Sequence, residues 1–108
     1  MRLPATVWIL SVLLQTAGAV SALAGDVVQV KITNLAFAPS EISVHAGDTI
    51  EWVNEDFVDH TATATSGEWD VAIAASAAGR LQTSKPGTFG YSCRFHPAMT
   101  GTIHVLAE

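Results

Sequence analysis

Lys85-Pro86-Gly87-Thr88-Phe89-Gly90-Tyr91-Ser92-Cys93 is the stretch whose reading decides the fold. Pro86-Gly87 is a turn pair, because proline presets φ and glycine tolerates positive φ. Behind it, Phe89, Tyr91 and Cys93 fall on one face, with Gly90 and Ser92 on the other. That is the period of two expected of a half-buried strand. The same alternation recurs on either side. Val28, Val30 and Ile32 oppose Gln29 and Lys31. Ile42 and Val44 oppose Ser43 and His45. Ile50 and Trp52 flank Glu51, and Ile103 and Val105 oppose Thr102, His104 and Leu106. Ala46-Gly47-Asp48 marks another turn. Short strands separated by Gly and Pro turns predict an all-β sandwich or barrel. Glu55 to Asp59 is predicted to be an acidic loop. Val71 to Ala78 (VAIAASAA) has no deciding period: a short helix, a poor strand and a mobile connection all fit it.

The first 24 residues differ in character. Met1-Arg2 is a short positive start, Val7 to Leu14 (VWILSVLL) is a brief apolar run, and Ala22-Leu23-Ala24 offers small residues for cleavage. This order predicts a secretory signal peptide over 1–24 and a mature domain over 25–108. The apolar run is shorter than the ~20 residues needed to span a bilayer. The mature protein is therefore expected in the periplasm, without a membrane span and as a monomer. Over 25–108 there are four basic residues, Lys31, Arg80, Lys85 and Arg94, against ten acidic ones, a net charge of −6. That balance argues against nucleic acid as a partner, since phosphate demands positive charge.

Cys93 is the only cysteine. Exported proteins usually use cysteines in disulfide pairs, so a single thiol needs another explanation. In Cys93-Arg94-Phe95-His96-Pro97-Ala98-Met99 a thiol, an imidazole and a thioether follow one another at intervals of three. Met99 is the only methionine besides the initiator. These are soft donors, suited to copper far better than to magnesium or calcium. One tight loop between strands could aim all three at a point. His60, after the predicted strand Thr49 to Asn54 and the acidic loop, is the best fourth donor. His45 and His104 alternate opposite apolar positions and are expected to face solvent rather than a metal.

On these residues the chain resembles the cupredoxins, specifically the plastocyanin–amicyanin–pseudoazurin group. Phe37-Ala38-Pro39, Ile42-Ser43-Val44 and Ala46 to Asn54 are similar to the first half of the family's pattern. Pro86 to Cys93 and Gly101 to Val105 are similar to the second, and the Cys-x-x-His-Pro-x-Met spacing is closest to amicyanin. The resemblance implies a Greek-key β-sandwich or barrel of about seven to eight strands. It implies one type I copper ion held by His60, Cys93, His96 and Met99. It also implies a one-electron carrier whose redox partners, such as a cytochrome or a periplasmic dehydrogenase, dock near His96, with Phe95, Pro97 and Ala98 around it. Glu55, Asp56 and Asp59 would add steering for a basic partner. The chain departs from the family at Thr61, where relatives often carry an Asn that ties the ligand loops together. It departs again at Asp59, where they often have Pro, and at Ala98, where amicyanin has a bulkier residue.

Three other functions stay in view. A copper-delivery or copper-buffering protein could use the same ligands. A thiol enzyme would need a base and a third orienting group, and no such constellation is visible. Structural zinc favours closed Cys and His sets without Met.

Overall fold

The computed structural model describes residues 25–108, and the predicted signal peptide lies outside the described residues. Nine strands follow one another: β1 (Val27–Thr33), β2 (Ala36–Ala38), β3 (Glu41–His45), β4 (Thr49–Asn54), β5 (His60–Ala64), β6 (Asp70–Ile73), β7 (Ala78–Gln82), β8 (Gly87–Cys93) and β9 (His96–Leu106). They form a four-stranded sheet in the order β2-β1-β4-β7 and a five-stranded sheet in the order β3-β9-β8-β5-β6. β1 pairs with β4, and β3 with β9, in parallel, while the remaining pairs are antiparallel. The chain thus crosses repeatedly between two packed sheets, as a cupredoxin sandwich does.

The alternation read from the sequence is the alternation of burial. Val30 and Ile32 of β1, Ile42 and Val44 of β3, Ile50 and Trp52 of β4, Tyr91 and Cys93 of β8, and Ile103 and Val105 of β9 all point into the core. Trp52 sits at its centre, fully buried, and donates its indole N–H to the Tyr91 hydroxyl at 3.1 Å. The Tyr91 ring lies 5.6 Å from Trp52, 4.6 Å from Phe37 and 5.7 Å from Trp69. Burial pushes the Tyr91 phenol up to about 12, against the opposing effect of the Trp52 hydrogen bond. Gly101 faces this ring across the β8–β9 pair, and a Cβ there would collide with it.

The turn at His45 to Asp48 closes as expected. Gly47 has φ of +99°, which only glycine adopts without strain, and the Asp48 N–H donates to the His45 carbonyl at 2.9 Å. The Asp48 carboxylate accepts the backbone N–H groups of His45 and Asp26, and these bonds hold its pKa below the usual value. This pins the start of β1 to the end of β3.

The number of strands exceeds the expected seven to eight because two weakly patterned segments pair. Ala36–Ala38 turns back on β1, and Ala78–Gln82 adds to the outer edge of β4. The undecided stretch 71–78 is no helix: it is the end of β6, a turn with Ser76 at φ of +60°, and the start of β7.

Candidate metal centre

Three strands, β5, β8 and β9, bring the four sequence-selected side chains to one end of the sandwich. Cys93 ends β8 and His96 begins β9, with only Arg94 and Phe95 turning between them. The β8–β9 ladder pairs Ser92 with Thr100 but Cys93 with His96. Three residues, Pro97 to Met99, are therefore left over on the β9 side of the ladder. This irregularity wraps the loop around the thiol, as bulges do when they re-aim side chains. Met99 re-enters the core at 4% exposure, in the same packed cluster as Cys93. His60 opens β5, with its ring buried.

The Cys93 sulfur lies 3.7 Å from Nδ1 of His60 and 3.7 Å from Nδ1 of His96. The donor atoms of the three residues lie within 4.8 Å of one another, and among the described residues they form the one such group. A first-row ion bound ~2.3 Å from sulfur and ~2.0 Å from nitrogen, at a roughly trigonal angle, separates those donors by about 3.7 Å. The spacing and chemistry of these side chains fit such an ion. His45 and His104 lie elsewhere. His45 is exposed, whereas His104 is only partly so, because its ring bonds Glu41 and Thr88 on neighbouring strands.

The sulfur is prepared as a thiolate. Burial pushes the Cys93 thiol up, but the Thr61 N–H at 3.4 Å, the two imidazoles and the Phe95 N–H outweigh it and bring the pKa down to about 6. The thiolate, and not the thiol, is the form that binds metal.

Two residues do work that the sequence reading missed. Thr61 stands where relatives often carry Asn, yet it joins the two ligand loops. Its hydroxyl accepts the Arg94 N–H at 2.9 Å and meets the Thr63 hydroxyl at 2.8 Å, and Thr63 in turn donates to Asp70. With the bond from its N–H to the sulfur, a threonine holds the loops that an asparagine was expected to hold. Asp56, read from sequence as steering charge, accepts instead from His60 Nε2 at 2.9 Å. That leaves Nδ1, the nitrogen facing Cys93, free to donate its lone pair. Such outer carboxylates fix the tautomer and orientation of a ligating histidine. The backbone N–H groups of Leu35 and Asn34 also bond Asp56, and with His60 they hold its pKa below the ordinary carboxylate value. The signal was available as an acid four residues before the histidine. Buried Asn54 shapes the same loop, donating to the Val58 and Ile73 carbonyls and accepting the Asp56 N–H.

The sandwich with two histidines and a cysteine gathered at one end defines a class. The family model of the cupredoxin-like domain matches residues 4–105, and the chain belongs to that family. Within it, the chain is similar to amicyanins. It is 31% identical over 83 residues to amicyanin-alpha of Methylorubrum extorquens, covering 71% of this chain and 70% of that protein. It is 27% identical over 93 residues to amicyanin of Paracoccus denitrificans, covering 81% and 71%. Among solved structures, amicyanin from Paracoccus versutus superposes with a TM-score of 0.65 at 28% identity, over 74% of this chain and 81% of that one. The Cu(I) form of an amicyanin M98A mutant gives a TM-score of 0.65 at 26% identity, over 73% and 81%.

Proposed function

We propose that His60, Cys93, His96 and Met99 hold one type I copper ion, and that the protein is an electron carrier rather than an enzyme, working in the periplasm between redox partners. The observation that carries this reading is the donor set: two imidazole nitrogens 3.7 Å from one thiolate sulfur, with the chain's one internal methionine buried in the same core cluster as that cysteine. Copper, when bound, would supply the one-electron Cu(II)/Cu(I) couple, and a donor set of two imidazoles, a thiolate and a thioether suits both oxidation states. The protein's part is to keep the donors where they are. Thr61 ties the loop of Cys93 to the strand of His60, Asp56 holds the His60 ring, and the β8–β9 turn fixes His96. The amicyanin relatives support the electron-carrier reading, and the secretory pattern of residues 1–24 supports the periplasm.

Titrating the purified mature chain with Cu(II) tests this. An intense visible band is expected, saturating at one copper per chain, bleached by a one-electron reductant and restored by reoxidation. Binding without that band, or a band that does not return, would overturn the proposal.

Asp56→Asn keeps the shape of the side chain and removes its charge. A negative charge beside a ligand favours the more positive Cu(II) state. Its loss should therefore raise the reduction potential, by an amount on the order of tens of millivolts. Voltammetry of the two proteins checks this, and an unchanged or lowered potential would mean that Asp56 does not act on the centre.

A further inference from the structure

We infer that removal of residues 1–24 completes the fold: the α-ammonium group freed at Gly25 pairs with the buried Asp48 carboxylate, so the processed N-terminus is a structural part of the domain. The inference rests on the export reading of residues 1–24 and is independent of the copper reading.

Gly25 follows Ala22-Leu23-Ala24, the small-residue pattern of a cleavage site. It lies packed against the turn that joins β3 to β4. A Cβ on Gly25 would stand 2.5 Å from the Gly47 carbonyl oxygen and 2.8 Å from Asp48 Oδ1, so no side chain fits there unless the turn gives way. The next residue is fixed on both sides. The Asp26 N–H donates to Asp48 Oδ1 at 2.9 Å, and its carbonyl accepts the Thr49 N–H at 2.8 Å.

The nitrogen of Gly25 and the place of that Cβ are substituents of one Cα, about 2.5 Å apart. The nitrogen is thus within about 5 Å of the Asp48 carboxylate. In the precursor it is an amide with a single N–H. After cleavage it is an ammonium with three, on a residue free to pivot.

The charges point to the same pairing. Asp48 is 7% exposed, and its bonds from the His45 and Asp26 N–H groups hold its pKa below the usual value, so it is buried and ionised. Buried charges are paired as a rule. Yet Lys31, Arg80, Lys85 and Arg94, the four basic side chains of 25–108, are engaged elsewhere, with Glu55, Glu51, Glu68 and Asp70. Among the described residues, the one titratable base beside Asp48 is the exposed His45 ring, at 3.9 Å. Asp26 adjoins the site, and the Glu108 carboxylate lies 3.8 Å from where a Cβ on Gly47 would stand. Gln82 and Thr83, which donate to the Gly47 and Asp48 carbonyls, are neutral. An ammonium at Gly25 is therefore a fifth cation set among carboxylates. The precursor lacks this pair, so the domain reaches full stability only once the leader has been removed.

The test expresses the full-length gene with export and purifies the processed product free of metal. The parent is compared with a variant carrying Gly-Ser inserted between Ala24 and Gly25, which keeps Gly25 but moves the amine two residues upstream. Intact mass is expected to place the parent's first residue at Gly25 and the variant's at the inserted glycine. At ~pH 7, where an α-amine is charged, the variant is expected to melt about 3 °C or more below the parent. An amine whose charged form is held by a carboxylate contributes stability below its titration and loses it as pH rises. By ~pH 10 the two midpoints should therefore converge. Equal midpoints at ~pH 7 overturn the inference. So does a gap that survives undiminished at ~pH 10, because the extension then acts by its bulk. A parent whose mass begins at another residue overturns it too. A product that retains residues 1–24 brings down the export reading and the inference with it, and is told apart by its mass.

Discussion

Cys93→Ser is expected to lose the visible band completely while the sandwich still folds. The thiolate is the donor whose charge transfer to copper gives such a site its colour, and no second cysteine exists to replace it. A serine hydroxyl at this position is smaller and is not ionised near neutral pH. His60 and His96 would still face one another, so a Cu(II) ion could be held by nitrogen and oxygen donors with only weak absorption. The loss of affinity should exceed the ~10–100-fold typical of removing an outer hydrogen-bond partner. Visible absorption and electron paramagnetic resonance of the copper-loaded variant decide the matter, with far-ultraviolet circular dichroism as the check on folding. A retained intense band would show that another group supplies the sulfur.

Trp52→Ala is expected to bring the domain close to unfolding. The ring is fully buried at the junction of the two sheets and is the hydrogen-bond donor to the Tyr91 hydroxyl. Truncating a buried tryptophan costs about 3–5 kcal/mol, and leaving the phenol without its partner adds about 1–3 kcal/mol. Domains of this size hold only ~5–15 kcal/mol in total. The melting midpoint of the metal-free protein should therefore fall by more than ~12 °C. Trp52→Phe keeps most of the contact area and should lose much less. A Trp52→Ala midpoint within a few degrees of the parent would mean that the Trp52–Tyr91 pair does not hold the sheets together.

The sequence showed the sheets wherever side chains of opposite character alternate. Val30 and Ile32, Ile50 and Trp52, Tyr91 and Cys93 were legible because only one face of each strand meets the core. The run 71–78 was not legible, because alanines carry no contrast between faces. What orders it is remote: Asn54 donates to the carbonyls of Ile73 and Ala74, and the Asn54 N–H donates to Ala77. The same division applies at the metal centre. His60, Cys93, His96 and Met99 could be picked out by type and spacing, since few other side chains offer soft donors. Thr61 could not, and Asp56 was marked only by its place four residues before His60, because their roles depend on which backbone groups fold against them. A hydroxyl serves as a loop tie only once Arg94 has been turned back onto it.

The position of β9 within its sheet bears on how the protein is made. The strand lies between β3 and β8, pairing Glu41 with Thr102 on one side and Thr88 with His104 on the other. Links between stations so distant along the polypeptide raise contact order, and topologies of this kind assemble in milliseconds to seconds rather than microseconds. The strand that completes the second sheet also carries two of the four candidate ligands, His96 and Met99, so the candidate site is assembled only when β9 takes its place between β3 and β8. A chain shortened before Met99 would forfeit both a candidate ligand and most of the strand at the middle of that sheet.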